Sequence, residues 1–149
     1  MSHIRTQIRQ AFKTALEASL TSGYDIHASR KYAYNATDGT ALVDMKFLND
    51  QTSTREVMDD ARVHVASLYI RVQRTGLEED IDDALDTDEL AVVSAIEDHD
   101  FSTLLEEDPE LLQVNFSDSS EAGQIIGTIV IRYDVEYRID KTDPETVIE

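Results

Sequence analysis

The sequence predicts a single α+β domain over residues 1–140, in which a mixed, mostly antiparallel β-sheet has helices packed against it. Three observations support this prediction. The 149 residues, 41% of them hydrophobic, suffice for one domain with a substantial core. Apolar residues recur at a helical period near the N-terminus and again after residue 77. Near the C-terminus they alternate strictly, as in a strand. Residues 141–149 are expected to form a loose tail.

The N-terminal segment predicts an amphipathic helix over residues 3–22. Its apolar face is formed by side chains spaced four residues apart: Ile4, Ile8, Phe12, Leu16 and Leu20. Ser2 is the expected N-cap, and Gly23 lies where a helix commonly ends in a left-handed residue.

The next segment predicts a hairpin followed by a loop. The Asp38-Gly39 pair lies between the extended runs 32–34 and 41–48, which is typical of a tight hairpin turn. Residues 49–60 are rich in Asn, Asp, Gln, Ser and Thr and contain neither Gly nor Pro. They predict an exposed loop that becomes ordered when it meets a partner.

Residues 62–74 predict a strand whose apolar pattern changes phase. Val63 and Val65 have one parity, whereas the apolar residues from Leu68 to Val72 have the other. We therefore expect either a β-bulge near residues 66–67 or a central strand that is buried on both faces.

The second half of the sequence predicts a helical region followed by two strands. Residues 77–107 are expected to be mostly helical, with a second helix that begins near Glu89 and is capped by Thr87 or Asp88. After Pro109, residues 111–116 predict a short strand and residues 117–123 a loop. Apolar side chains at the odd positions from 129 to 139 predict a long final strand.

Charge is distributed unevenly along the chain. The 13 Lys and Arg residues and 31 Asp and Glu residues give a net charge of −18, and residues 75–131 hold seventeen acidic residues without one Lys or Arg. Such a chain is a poor candidate for binding nucleic-acid phosphates. The acidic block must be solvated, as one face of a helix would be, or must lie against a positive surface.

A basic stripe on the first helix suggests where that positive surface lies. Arg5, Arg9 and Lys13 recur every four residues, and like charges at this spacing repel one another. An acidic surface on a neighbouring copy would remove the repulsion.

The sequence lacks the common motifs of catalysis and metal binding. The six acidic residues from Asp80 to Glu89 do not place a ligand and a glycine where an EF-hand loop needs them, and a solvated helix start explains them better. The four histidines form neither HxH nor HExxH, and GxSxG, Walker and GxGxxG patterns do not occur. In Asp98-His99-Asp100, neighbouring helical residues would not face one site. We therefore expect no cofactor, no metal and no enzymatic activity.

The cysteine count and the hydropathy of the chain limit the cellular setting that we expect. The chain has no cysteine, which rules out a disulfide framework and thiolate chemistry. No apolar run approaches the roughly 18 residues of a membrane span, and the first residues lack the apolar stretch of a signal peptide. We expect an intracellular setting or an assembled particle, without a membrane.

The order of these elements resembles that of the tail terminator proteins of long-tailed phages, the lambda minor tail protein U type. The resemblance covers most of residues 1–140, and three stretches carry it: ARVHVASLYIRV, DFSTLLEEDPELLQVNF and TIVIRYDVEYRI. It implies a structural virion protein of the tail or neck, assembled in the host cytoplasm. Such a protein forms a ring, expected to have six copies, that caps the tail tube and stops its polymerisation. The ring also offers a docking face to the head-tail connector protein, and DNA passes through its lumen without specific binding.

The resemblance and the charge pattern together suggest contact residues. Contacts with the tail tube protein or another partner are expected from exposed, polar positions: Asn35, Asp38, Gly39, Asn49, Asp50, Gln51, Thr52 and Arg55. Contacts between subunits are expected from the basic stripe, the acidic block and the last strand: Arg5, Arg9, Lys13, Asp82, Asp83, Asp86, Arg132 and Arg138.

Three other functions stay open at this point. Another neck component, a connector or stopper, would bind a head connector rather than cap tubes. A small acidic module would mask a basic partner or mimic DNA as a monomer or dimer. An enzyme would have to use Asp98-His99-Asp100. A further hypothesis is a salt-loving host, because only four Lys accompany nine Arg and dense salt would screen the acidic repulsion.

Overall fold

Five strands form one mixed sheet, and two helices pack against one of its faces. The computed structural model describes residues 3–20, 23–29, 41–52, 61–76, 78–121 and 124–140. In chain order the elements are α1 (Ile4–Ser19), β1 (Tyr24–Ile26), β2 (Ala41–Thr52), β3 (Ala61–Gly76), α2 (Glu78–Glu97), β4 (Glu110–Glu121) and β5 (Gln124–Asp140). The sheet order is β1-β2-β3-β5-β4, with β1 parallel to β2 and the other pairs antiparallel. The predicted α+β class is confirmed.

The core lies between the helices and one face of the sheet. Directly paired residues share a face, so the register that pairs Leu68 with Tyr133 and Ile70 with Ile131 aligns the apolar positions of β3 and β5. The predicted alternation of the last strand is confirmed, because its odd positions from 129 to 137 are buried. Phe12 of α1 reaches this layer, with its ring centroid 6.0 Å from that of Tyr133.

The first helix is confirmed, but both of its ends differ from the prediction. His3, rather than Ser2, is the N-cap, and its Nδ1 accepts a hydrogen bond of 3.1 Å from the backbone N–H of Arg5. The helix ends at Ser19 because Leu20 is already extended. Gly23 does have a positive φ of 105°, but it lies beyond the helix and leads into β1.

The phase change in β3 reflects burial on both faces. Its register with β5 is unbroken through residues 66 and 67, so the bulge predicted there is absent from that pairing. Ala66 and Leu68 are buried on the helix side, and Ser67 is buried on the other face. A register shift does occur on the facing strand β2, between Phe47 and Asn49.

Three predicted boundaries were wrong for a shared reason: backbone pairing or helical hydrogen bonding continues further than the local composition suggests. Residues 49–52 belong to β2 and pair with residues 64–67 of β3, whereas the sequence predicted a loop there. Residues 117–121 likewise extend β4. The helix break near residues 87–89 is absent, because α2 is one helix of 20 residues.

Several predictions concern segments that the structure does not describe. The hairpin around Asp38-Gly39, residues 53–60 and the tail 141–149 all lie outside the described residues. Within the described ranges, no helix is long and apolar enough to cross a membrane.

Candidate interaction surfaces

The strand β4 presents an exposed apolar surface at one edge of the sheet. Among the described strands it pairs with β5 alone. Three of its side chains are exposed: Leu111 by 39%, Leu112 by 44% and Phe116 by 55%. A register shift between Leu111 and Gln113 is confined to the start of the strand, and pairing is regular from there to its end. We refer to residues 110–118 as the β4 edge.

The apolar residues of the β4 edge continue the core face beyond the helices. Val114 and Phe116 are the register partners of Ile131 and Ile129, both of which are fully buried. The helix α2 packs on β3 and β5, one strand away. The layer of helices therefore stops short of β4, and Phe116 stays exposed although its partner Ile129 is covered.

Protection of this edge is sparse. Natural proteins commonly protect an edge strand with Lys, Pro or a covering segment, because a long exposed edge invites pairing with another chain. Residues 110–118 contain neither Lys, Arg nor Pro, and β4 is 12 residues long against a typical five or six. The bulge near Leu112 is the one protective feature that the register shows.

A groove lies between α1 and β2, toward the edge of the sheet opposite to β4. It has a volume of about 270 Å³ and is lined by Arg5, Arg9, Lys46, Phe47, Leu48 and Asn49. We call it the α1–β2 groove. Its lining combines three cationic residues with two apolar ones, and Leu48, the residue at the register shift in β2, is 55% exposed.

Within the α1–β2 groove, Arg9 has an unused donor. Its Nη2 donates to Thr6 Oγ1 at 3.2 Å, whereas its Nε is buried and has no hydrogen-bond partner. A buried guanidinium N–H without an acceptor costs free energy, and the positive charge of the guanidinium attracts carboxylates to the groove that Arg9 lines. The groove is thus suited to an acidic chain segment with apolar side chains.

A second hollow lies on the sheet face opposite the helices. Its volume is about 310 Å³, and Tyr69, Val130, Met45, Lys46 and Leu48 line it together with an ion pair. In that pair, Arg71 Nε donates to Asp44 Oδ1 at 2.9 Å and Arg71 Nη2 donates to Asp44 Oδ2. The pair joins two facing positions of β2 and β3, so its carboxylate is already occupied by a protein cation.

A buried polar cluster joins β1, β3 and α2. Arg74 binds the carboxylate of Asp88 through Nε at 2.7 Å and Nη2 at 2.8 Å, and Tyr24 Oη donates to the same carboxylate at 2.6 Å. Burial, followed by the hydrogen bond to Asp88, raises the pKa of Tyr24 to about 12. The hydrogen bond to Asp88 also raises the pKa of Arg74. This cluster fixes the helix on the sheet.

The sequence predicts a helix cap at Thr87 or Asp88, but both residues lie inside α2, and Asp88 is buried there. Ile81, Leu85, Asp88 and Val92 follow one another at helical spacing and are all buried. An acidic residue at an apolar position of a helix pattern indicates a buried partner. The identity of that partner, Arg74, depends on the register of β3 beneath the helix.

The predicted subunit-contact residues fall into two groups. Asp82, Asp83 and Asp86 are exposed on α2, and the basic stripe lies on α1 with Arg5 and Arg9 in the α1–β2 groove and Lys13 one turn further along. The two arginines of β5 instead lie beside carboxylates of their own chain. Arg132 Nε is 3.2 Å from Asp134 Oδ1, and Arg138 Nε is 3.0 Å from Glu106 Oε1.

The predicted partner-facing residues are described only in part. Asn49 is exposed at the α1–β2 groove. Asp50, Gln51 and Thr52 are strand residues of β2 rather than loop residues. The remaining four, Asn35, Asp38, Gly39 and Arg55, lie outside the described part of the chain.

The Asp98-His99-Asp100 segment has a structural explanation. The His99 ring lies edge-on to Phe101, with centroids 4.6 Å apart. The Asp100 carboxylate accepts a hydrogen bond of 2.9 Å from Ser102 N, and bonding with Ser102 lowers the pKa of Asp100. Within the described ranges, no three His, Asp or Glu side chains come together as a metal site.

His64 fulfils the simple pairing role that its place in a strand suggests. Its ring stacks on that of its register partner Tyr137, with centroids 5.3 Å apart and an interplanar angle of 17°.

Comparison with known proteins adds no assignment: no protein-family model and no curated protein matches this sequence.

Proposed function

We propose that this chain is a structural subunit that assembles with copies of itself into a ring, in the manner of the tail terminators that its sequence resembles. The observation that carries the proposal is the β4 edge. Leu111, Leu112 and Phe116 are exposed on a strand that, among the described strands, pairs with β5 alone. Apolar side chains concentrated in this way mark a surface that another chain covers.

The fold and the charge pattern support a ring rather than a symmetric pair. A ring needs two different patches on each subunit, one that meets the other on the next copy. The chain has two such patches of opposite character. Cationic residues lie at the α1–β2 groove, whereas the β4 edge is apolar with an acidic residue at each end, and the exposed face of α2 is acidic.

Within this proposal, the partners are the tail tube protein and the head-tail connector protein, and the ring belongs to the tail or neck of a virion. Residues 50–55 would face the tube, together with the segment around Asp38. A net charge of −18 suits a conduit through which DNA passes without adhering, since adhesion requires cationic side chains.

Mass measurement tests the assembly step directly. Six copies of the 16.8 kDa chain have a mass of about 101 kDa, which light scattering behind a sizing column distinguishes from a monomer at low and at molar salt. Negative-stain images of that species should show a ring with a central opening. Capping of purified tail tubes, and its loss with the ring kept when residues 50–52 are replaced by alanine, then separates a terminator from another neck component.

The acidic binding module is the second candidate, and α2 is the observation that favours it. Asp82, Asp83 and Asp86 lie on its exposed side, and Leu90 on the same helix is 68% exposed. Such a face suits a basic protein partner. A monomer at both salt concentrations that binds a basic protein, with affinity falling steeply as salt rises, would favour this module over the ring.

A further inference from the structure

We propose that the α1–β2 groove of one copy receives the β4 edge of the next copy, so that this head-to-tail contact is the one that closes the ring. The inference rests on the proposed self-assembly and names the two surfaces that perform it. Its occupant is a second copy of this chain, for three reasons of geometry, charge and hydrogen bonding.

Geometry makes the contact intermolecular. In the sheet order, β3 and β5 lie between β2 and β4. Adjacent strands are 4.7–4.9 Å apart, so the two surfaces are separated by about 14 Å of sheet and cannot meet within one chain. Two different surfaces on opposite sides of one subunit produce a heterologous contact, which repeats from copy to copy and closes into a ring when the rotation allows.

Charge and apolar surface are complementary across the contact. The α1–β2 groove carries Arg5, Arg9 and Lys46. Exposed acidic side chains lie just before the β4 edge, Glu107 and Asp108, and at its two ends, Glu110 and Asp118. Exposed apolar residues occur on both sides, Leu48 in the groove and Leu112 and Phe116 on β4.

Hydrogen bonding favours an acidic strand as the occupant. Arg9 Nε is buried in the chain without an acceptor, and it lies in a residue that lines the groove. The free edge of a strand supplies carbonyl oxygens, and the acidic side chains beside β4 supply carboxylates, which form the stronger bonds with a guanidinium. One contact would thus pair the charge of the arginine with a carboxylate and cover the apolar β4 residues.

A charge-exchange experiment tests the pairing. A groove variant carries Arg5→Glu, Arg9→Glu and Lys46→Glu, and a strand variant carries Glu107→Lys, Asp108→Lys and Glu110→Lys. Each variant alone is expected to need a protein concentration at least about tenfold higher than wild type for assembly, because like charges then face each other. An equimolar mixture should recover rings of alternating subunits, since each groove then meets a strand of opposite charge.

Two further chains control for net charge and folding. The chain with all six substitutions keeps the net charge of −18 and should assemble like wild type. A third variant, with Asp82→Lys, Asp83→Lys and Asp86→Lys, has the same charge change as the strand variant but on α2, and its assembly should be unaffected. Far-ultraviolet circular dichroism and thermal unfolding of every monomer verify the fold.

The outcomes separate this pairing from the proposal beneath it. Rings that form in the strand variant alone and in the groove variant alone overturn the pairing but leave self-assembly intact. Loss of rings in the α2 variant, with rings kept in the strand variant, identifies α2 as the acidic partner and also overturns it. A folded wild-type chain that is monomeric at both salt concentrations overturns the proposed function and the pairing together.

Discussion

Arg74 and Asp88 form a buried two-point ion pair that joins the central strand β3 to the helix above it. Asp88 is 1% exposed, and its two oxygens accept from Arg74 Nη2 at 2.8 Å and Nε at 2.7 Å. Tyr24 adds a third hydrogen bond from the short strand β1, and the Arg74 guanidinium lies 5.8 Å from the centroid of its ring. One carboxylate therefore links three elements that are distant in the sequence.

Removal of this carboxylate should destabilise the fold strongly. Asp88→Ala leaves Arg74, whose side chain is 17% exposed, without its counter-ion and Tyr24 without its acceptor. Breaking a buried ion pair from one side costs about 3–5 kcal/mol. Urea unfolding followed by circular dichroism should register that loss. Thr87→Ala, at the exposed neighbouring position, should change stability by less than about 1 kcal/mol, and equal effects of both substitutions would contradict the role assigned to Asp88.

Alkaline pH should weaken the same junction. The pKa of Tyr24 is about 12 in the folded chain, above its ordinary value of 10.0, because burial and the hydrogen bond to Asp88 favour the neutral phenol. The unfolded chain therefore releases this proton first, and the free energy of unfolding falls as pH rises from about 10 towards 12. Tyr24→Phe should reduce that slope. Denaturant unfolding at pH 9, 10 and 11 measures it, and an unchanged slope in the variant would contradict the prediction.

The close approach of α2 to β5 depends on Gly127. A Cβ atom at this position would lie 2.6 Å from Leu85 Cδ1 and 2.8 Å from Ile81 Cγ1. Gly127→Val should therefore cost about 1–3 kcal/mol through overpacking, and Gly127→Ala should cost less. In a Leu85→Ala background the added cost of Gly127→Ala should shrink, because the facing methyl group is gone. Additive costs in this double-mutant cycle would show that Leu85 is not the obstacle.

Assembly should respond to a charge on the β4 edge but not to one on α2. Phe116 is 55% exposed and Leu90 is 68% exposed, so a lysine at either position should leave the monomer folded. Phe116→Lys is expected to abolish the species near 101 kDa, since the apolar contact is lost and a cation would face the cationic residues of the α1–β2 groove. Leu90→Lys should keep it. Light scattering measures the mass of each variant in solution. Assembly of the Phe116 variant together with loss of assembly in the Leu90 variant would assign the contact to α2.

Salt should stabilise the chain if its host is salt-loving. Residues 75–131 carry seventeen acidic residues without a Lys or Arg, and molar salt screens charges to a few ångströms. The midpoint of thermal unfolding is then expected to rise between low-salt buffer and molar potassium chloride. Cooperative unfolding in low-salt buffer with no gain at molar salt would argue against the halophilic hypothesis.

The sequence by itself determined the periodic elements. Residues spaced by four gave the buried face of α1, and strict alternation gave the buried face of β5, because each regular element repeats its side-chain direction at a fixed period. The phase change at residues 66–67 predicted either a bulge or a central strand, and the structure has the central strand. These features depend on neighbours in the chain, and local patterns record them.

Boundaries and contacts between distant residues were decided only in the tertiary structure. Residues 49–52 have a loop-like composition, yet they extend β2 because β3 offers them backbone partners. Asp88 became an ion-pair partner rather than a cap because the register of β3 brings Arg74 beneath α2. The β4 edge likewise exists because the strand order places β4 outermost, beyond the reach of the helices. Strand order and register bring together groups far apart in the chain, so no local pattern of residues specifies them.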